Sequence, residues 1–281
     1  MSQTTTMHHP VDKAAHAPRI IALANQKGGV GKTTTAINLA AGLAAGGFRV
    51  LLIDIDPQGN ASTGLGIGYE NRRRGTYALI GEDAPAADLI QETSVPGLSV
   101  IAADTELAGA ELELVMSDRR EYRLRDAIAR IGGEYDVILI DCPPSLGLLT
   151  LNALVAAQAV IVPLQCEFFA LEGISQLVRT VNSLCKSLNP ALKLEGIVLT
   201  MYDRRNNLSE LVAADARSFF GDRVLETVIP RNIRISEAQS HGQAVMFYDA
   251  RSSGSQAYRA LSDEVTSRLA LRAGRKGKKQ G

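Results

Sequence analysis

The sequence predicts an α/β fold, a doubly wound and mostly parallel sheet flanked by helices, and three observations carry that reading. Seven short apolar runs, rich in Val, Ile and Leu on both faces, recur along the chain. Longer segments of helical period alternate with them, and the first run leads through a glycine-rich turn into one such segment. Strands apolar on both faces belong to parallel sheets covered on both sides, and strand–helix alternation is how such sheets are connected.

Taken in order, "RIIALAN" (19–25) reads as the first strand and Lys32 to Ala45 as the helix after it. "RVLLIDID" (49–56) and "GLSVIAAD" (97–104) are the next two strands. The stretch from Gly64 to Ala110, broken by Gly, Pro and charged clusters, reads as surface excursions between strands. Glu121 to Arg130 is helical, followed by the strand "YDVILIDCPP" (135–144) and the helix Leu146 to Ala157. "AVIVPLQ" (159–165), the helix Glu172 to Leu188, "LEGIVLTMY" (194–202), the helix Ser209 to Phe220 and "LETVIP" (225–230) complete the alternation, with a last helix beginning near Ile233. One domain over 19–271 is expected. Residues 1–18 and 272–281 are polar and poor in large apolar groups, which predicts disordered tails, the second of them basic.

With 281 residues, 46% of them hydrophobic, the chain can bury a sizeable core. Thirty basic side chains balance thirty acidic ones, so net charge offers no attraction for nucleic acid and any such binding has to come from a local patch. Cys142, Cys166 and Cys185 are too scattered for a disulfide framework or a C-x-x-C metal site, which fits a reducing compartment. Neither a secretory leader nor a run long enough to span a membrane is visible, so a cytoplasmic protein is expected. His8, His9, His16 and His241 do not form a recognisable ligand set, and Phe168 and Phe169 suit a core or an interface equally.

The chemistry concentrates in "LANQKGGVGKTTTAINLA" (23–40). It lies between a strand and a helix, the context of a phosphate-binding loop, but the pattern G-x-x-x-x-G-K-[ST] wants glycine at 26 and finds Gln26, followed by a second lysine, Lys27. Gly28, Gly29 and Gly31, with Val30 among them, leave backbone N–H groups open to phosphate oxygens, and the helix starting at Lys32, Thr33 and Thr34 adds its positive end. Lys32 is placed to reach the β- and γ-phosphates and Thr33 to put its hydroxyl on Mg2+.

Carboxylates for that metal stand at the ends of two apolar strands, Asp54 and Asp56 in "VLLIDIDPQGN" and Asp141 in "YDVILIDCPP", at the edge where open α/β sheets bind ligands. Asp141 fits the carboxylate that orders Mg2+ in phosphoryl transfer, with Asp54 and Thr33 as further candidates. Asp54 and Asp56 share a face of their strand. Asp56, further out beside Pro57, is the choice for the group that positions the attacking water, with Asp54 as the competing one.

"KGGVGKTT" with its extra lysine, "DIDPQGN" and "DCPPS" together resemble the deviant Walker-A ATPases, and among them the ParA (Soj) chromosome- and plasmid-partitioning ATPases. The resemblance runs from about Arg19 to Ala270 and continues into "LTMYDRRNNLS" and "IPRNIRISEAQSHG". It implies ATP and Mg2+ as ligands, an ATP-dependent homodimer in which Lys27 reaches the partner's phosphates, and slow hydrolysis stimulated by a ParB-like centromere-binding protein. It also implies that Pro230 and Asn232 line the adenine pocket. Arg205 and Arg234, among the exposed arginines that include Arg204 and Arg231, would contribute to non-specific binding of double-stranded DNA, placing the protein on the nucleoid.

Two other readings share the loop. A membrane-surface ATPase like MinD would carry an amphipathic C-terminal helix, whereas no apolar stripe follows Leu271. An ATP-dependent metabolic enzyme of the same fold would need a small-molecule pocket, which inspection of the sequence does not decide.

Overall fold

The computed structural model of the chain describes residues 17–167 and 170–273. Eight strands, β1 (Arg19–Leu23), β2 (Val50–Asp54), β3 (Ile90–Glu92), β4 (Leu98–Ile101), β5 (Val137–Asp141), β6 (Ala159–Gln165), β7 (Lys193–Tyr202) and β8 (Val224–Pro230), form one sheet in the order β3-β4-β2-β5-β1-β6-β7-β8. Every pairing is parallel except that of β3 with β4. The helices are α1 (Lys32–Ala45), α2 (Asn60–Gly64), α3 (Thr76–Ile80), α4 (Leu107–Val115), α5 (Arg123–Ala129), α6 (Leu148–Ala156), α7 (Ala170–Ser187), α8 (Asn207–Phe220), α9 (Ile233–Ser240), α10 (Val245–Tyr248) and α11 (Ser253–Arg268).

The period of two along each strand divides the core into two layers. Ile20 and Ala22 of β1, with Leu51 and Ile53 of β2, join α3 to α8 on one side. Ile21 and Leu23, with Val50 and Leu52, join α1, α2 and α9 to α11 on the other. Side chains alternate across a pleat, so a strand apolar at every position feeds both layers, and the sheet is doubly wound as the apolar runs predict.

All seven anticipated strands are present, and the helix starting at Lys32 has the expected bounds. The helix expected from Ser209 begins two residues earlier, because the Asn206 side chain accepts the Leu208 N–H at 3.0 Å and caps it. The view of 64–110 as surface excursions needs correction. Thr76, Leu79, Ile80 and Arg72 are buried there, and β3 and α4 were not anticipated. Helix α11 was missed as well, although Tyr258, Leu261 and Val265 recur at helical spacing and pack against α1 and β8. The expected tails fall largely on residues outside those described, as do His8, His9, His16, Phe168 and Phe169.

The connection out of β1 runs to β2 on one side, while β6 flanks β1 on the other. Such a reversal opens a crevice at the carboxyl ends of the strands, which is where the loop after β1 lies.

Candidate functional site

The glycine-rich loop is held by its two ends and open in its middle. Asn25 ties the start, its side-chain amide donating to the Pro163 carbonyl at 2.7 Å and its oxygen accepting the Lys27 N–H at 3.0 Å. The Thr200 hydroxyl on β7 donates to the Val30 carbonyl at 2.8 Å. On either side of Val30, Gly29 and Gly31 take φ of 75° and 85°, which a side chain would strain. A Cβ at Gly28 or Gly29 would meet nothing within 4 Å, so that stretch of backbone faces open space. No side chain caps the start of α1, and its first N–H groups stay available for an anion.

A cleft of about 500 Å³ lies over this loop. Gly28, Gly29, Gly31, Lys32, Thr33 and Thr34 line one wall, and Asp56, Gln58, Asn60 and Thr63 the other. Buried Lys32 donates its ammonium to the Lys27 carbonyl at 3.0 Å. Burial lowers its pKa, against the upward pull of Asp141 and Asp56. Lys27 itself does not line the cleft. Its side chain is 44% exposed and pairs with Glu167.

The three strand-end carboxylates take different positions. Asp54 is fully buried, and its oxygens are already engaged: Oδ2 accepts the Ser62 N–H at 2.8 Å and the Ser62 hydroxyl at 2.6 Å, while Oδ1 accepts the Asp56 N–H at 3.2 Å. Burial pushes its pKa up to about 6, with the Ser62 hydrogen bonds pulling it down. Asp56 lines the cleft, and its Oδ1 accepts the Gln58 N–H at 3.0 Å. Asp141 is fully buried, with neither oxygen hydrogen-bonded. Burial first, then the charge of Asp54, hold its pKa well above the carboxylate range; Thr33 stands close enough to favour the ionised form but outside hydrogen-bond geometry.

Orphaned oxygens on a buried carboxylate are costly unless a cation or proton answers them. Asp141 and Thr33 therefore fit a divalent cation, and the Gly28–Gly29 backbone with the free end of α1 fits a phosphate chain. Asp54 offers the cation less, since Ser62 holds it.

Pro230 and Asn232 lie at the end of β8 and do not line the cleft. Asn232 caps α9, its oxygen accepting the Arg234 N–H at 2.8 Å, and its amide donates to Ser253 Oγ at 2.7 Å. The arginine pairs come together at one sheet edge, because Tyr202 of β7 pairs with Pro230 of β8 and the Arg231 N–H donates to the Tyr202 carbonyl at 3.1 Å. Arg205, its side chain 89% exposed, holds Asp203 at 3.0 and 3.1 Å, and Arg234 pairs with Glu237 at 2.7 Å and Asp249 at 3.5 Å.

A family model described as "AAA domain" matches residues 18–194. The chromosome partitioning protein ParA of Caulobacter vibrioides is 60% identical over 257 residues, covering 91% of this chain and 96% of that one. The chain belongs to the ParA/Soj family of chromosome-partitioning ATPases. A second ParA/Soj relative, the sporulation initiation inhibitor protein Soj of Bacillus subtilis, is 53% identical over 247 residues, 88% of this chain and 98% of that one. Among solved structures, cobyrinic acid a,c-diamide synthase from Mycobacterium smegmatis with bound ATP analog and magnesium superposes with a TM-score of 0.80 at 39% identity, over 90% of this chain and 96% of that one.

In this ParA/Soj chain, sequence reasoning missed Thr63, Met201, Gln239 and Ser240, which also line the cleft. Gln239 accepts the Thr34 hydroxyl at 3.2 Å, and Met201 holds φ of 51°, a conformation rarely kept by a side chain that large. "SEAQSHG" belongs to the family likeness, but only the fold brings α9 back to the loop, where Gln239 meets Thr34.

Proposed function

We propose that this ATPase is a DNA-partitioning switch whose site binds ATP with Mg2+ and whose ATP-bound form is a dimer. The observation that carries the reading is that Lys27 lies outside the lining of its own cleft. Gly28, Gly29, Gly31 and Lys32 line the chain's own cleft, whereas Lys27 is not among the lining residues and its part-exposed side chain pairs with Glu167 instead. A cation in that position serves a second chain better than its own, as an arginine finger supplied in trans does.

Within one chain the division of labour is direct. Gly28 to Thr34 cradle the phosphates, Lys32 neutralises the outer ones, and Thr33 with Asp141 holds Mg2+. The metal, when bound, neutralises charge that develops on the phosphate oxygens. Asp56 is the carboxylate that orients the water, because it faces the cleft while Asp54 is turned into Ser62. Pro230 and Asn232 are assigned the adenine side.

The dimer doubles the basic edge formed by Arg205, Arg231 and Arg234, so non-specific DNA binding is weak for one chain and strong for two. A ParB-like partner would stimulate hydrolysis and release the protein from the nucleoid. Binding to non-specific duplex DNA at one moderate salt, without nucleotide, with ADP, and with ATP and Mg2+, tests the proposal. Binding only with ATP is expected. No binding in any state would turn the reading toward a small-molecule reaction.

A further inference from the structure

Three arginines stand in a row in the segment after α2, and they meet opposite fates. Arg73 and Arg74 are exposed, whereas Arg72 is 2% exposed. Burying a guanidinium is costly unless its donors are met, and a carboxylate is the usual answer. Among the described residues none forms an ion pair with Arg72. Its partners are neutral oxygens. Nε donates to the Ile67 carbonyl at 2.9 Å, and Nη2 donates to the same carbonyl and to Thr63 Oγ1 at 2.8 Å. Nη1 donates to the Gly59 carbonyl at 3.1 Å. The Tyr69 ring lies 4.7 Å from the guanidinium carbon.

These acceptors lie in the segment that follows Asp56, and Thr63 among them lines the cleft with it. Gly59 closes the Asp56 turn, its N–H donating to the Asp56 carbonyl at 2.8 Å, and it holds φ of 61°. The Gly59 carbonyl also accepts the Thr63 N–H at 3.0 Å and the Thr63 hydroxyl at 3.1 Å. Arg72, Thr63 and Gly59 thus form a closed triangle of hydrogen bonds on one side of the segment. On the other side Ser62 is fastened to Asp54. Asp56 stands at the head of a segment gripped by a buried cation and a buried carboxylate.

We infer that Arg72 is a positioning residue for ATP hydrolysis, one that acts through the 56–67 segment to hold the Asp56 carboxylate where it orients water. A planar fork of donors can grip three oxygens at fixed angles, and no other side chain can do so. The phosphate loop is anchored separately, through Asn25 and Thr200. Loss of the Arg72 grip therefore falls first on turnover, because the phosphate loop keeps its own anchors. The inference rests on the assignment of Asp56 to the water.

The test compares Arg72→Lys, which keeps the charge and loses the fork, with Arg72→Met, which loses both. Steady-state hydrolysis and amide exchange are measured on each full chain, and either variant suffices if the other does not fold. A displacement of about 1 Å costs on the order of 100-fold, so kcat should fall by roughly 10- to 100-fold with KM for ATP unchanged. Faster exchange should be confined to 56–67, with the strands β1, β2 and β5 as protected as in the parent. A parental kcat, or a loss shared by ATP affinity and by exchange throughout those strands, overturns the inference. Asp56→Asn is assayed alongside. If it hydrolyses ATP at the parental rate, the water assignment itself fails; if it is inactive while both Arg72 variants turn over normally, only the role of Arg72 falls.

Discussion

Asp54 and Asp141 occupy the same register position on adjacent parallel strands, both fully buried, and Ser62 answers only the first. The pair explains why two similar strand-end motifs do different work. The carboxylate with a donor is part of the frame, and the one without keeps both oxygens unpaired.

The first prediction concerns that unanswered charge. A carboxyl whose folded pKa lies above its unfolded value of about 4 contributes most to stability at low pH and loses that contribution as pH rises. Asp54, pushed up to about 6, should cost the nucleotide-free chain stability as pH rises from about 4 to 6, and Asp141, raised by burial first and then by the charge of Asp54, should cost it in the same direction. Asp141→Asn should therefore raise the Tm of the nucleotide-free protein near neutral pH. The same variant should lose the extra stabilisation that Mg2+ adds to bound ATP. Thermal unfolding with and without Mg2+ reads both effects, and identical melting of parent and variant would refute the account.

Lys27 should be expendable for folding and required for the dimer. Its pair with Glu167 is exposed, and such pairs are worth about 0–1 kcal/mol, so Lys27→Ala should change the unfolding free energy by no more than roughly that. Nucleotide affinity of the single chain should persist, since Lys32 and the glycine backbone remain. ATP-dependent pairing and stimulated hydrolysis should be lost. Light scattering with ATP and Mg2+ decides, and a variant that still forms the dimer and turns over normally would return Lys27 to a surface role.

How much of this was legible beforehand follows from where each signal resides. The strands announce themselves because β1, β2 and β5 are apolar on both faces, and the phosphate loop because its glycines and Lys32 are contiguous. Ile90–Glu92 escapes because a three-residue antiparallel edge strand is recognised by its backbone pairing with β4 and not by its composition. Ser62 and Arg72 look like ordinary polar residues until the fold closes around Asp54 and Gly59. Asn232 was expected at the base, but its visible task is to cap α9, which local hydrogen bonding decides.

The basic edge yields a prediction of opposite sign for two charges. Asp203 sits between Arg205 and Arg231, and Arg205 holds its carboxyl down to about 2, so it stays ionised and offsets the arginines at any ordinary pH. Asp203→Asn should strengthen binding to non-specific DNA at low salt, whereas Arg234→Glu should weaken it and reduce the slope of log K against log salt by about 1 for each phosphate left without its cation. Neither change touches the cleft, so ATP-dependent pairing should survive both. Salt titrations of DNA binding with ATP present give the comparison, and affinities that match the parent across the series would remove this edge from the DNA interface.

Gly75 tests whether the stretch between β2 and β4 belongs to the body of the molecule. A Cβ there would lie 2.0 Å from the Ala102 carbonyl oxygen, a backbone atom that cannot swing aside. That close approach lets the Gly75 N–H donate to Asp104 at 2.7 Å, the Thr76 N–H to Ala102 at 2.9 Å, and the Thr76 hydroxyl to the Asp54 carbonyl at 2.6 Å. Gly75→Ala must push 75–77 off the end of β4 and loosen the hold on Asp54. An overpacked site costs about 1–3 kcal/mol, so the urea midpoint should fall with the m-value unchanged. A shift below about 0.5 kcal/mol, the range of an ordinary surface substitution, would mean that the segment can lift away and that Asp54 keeps its place without it.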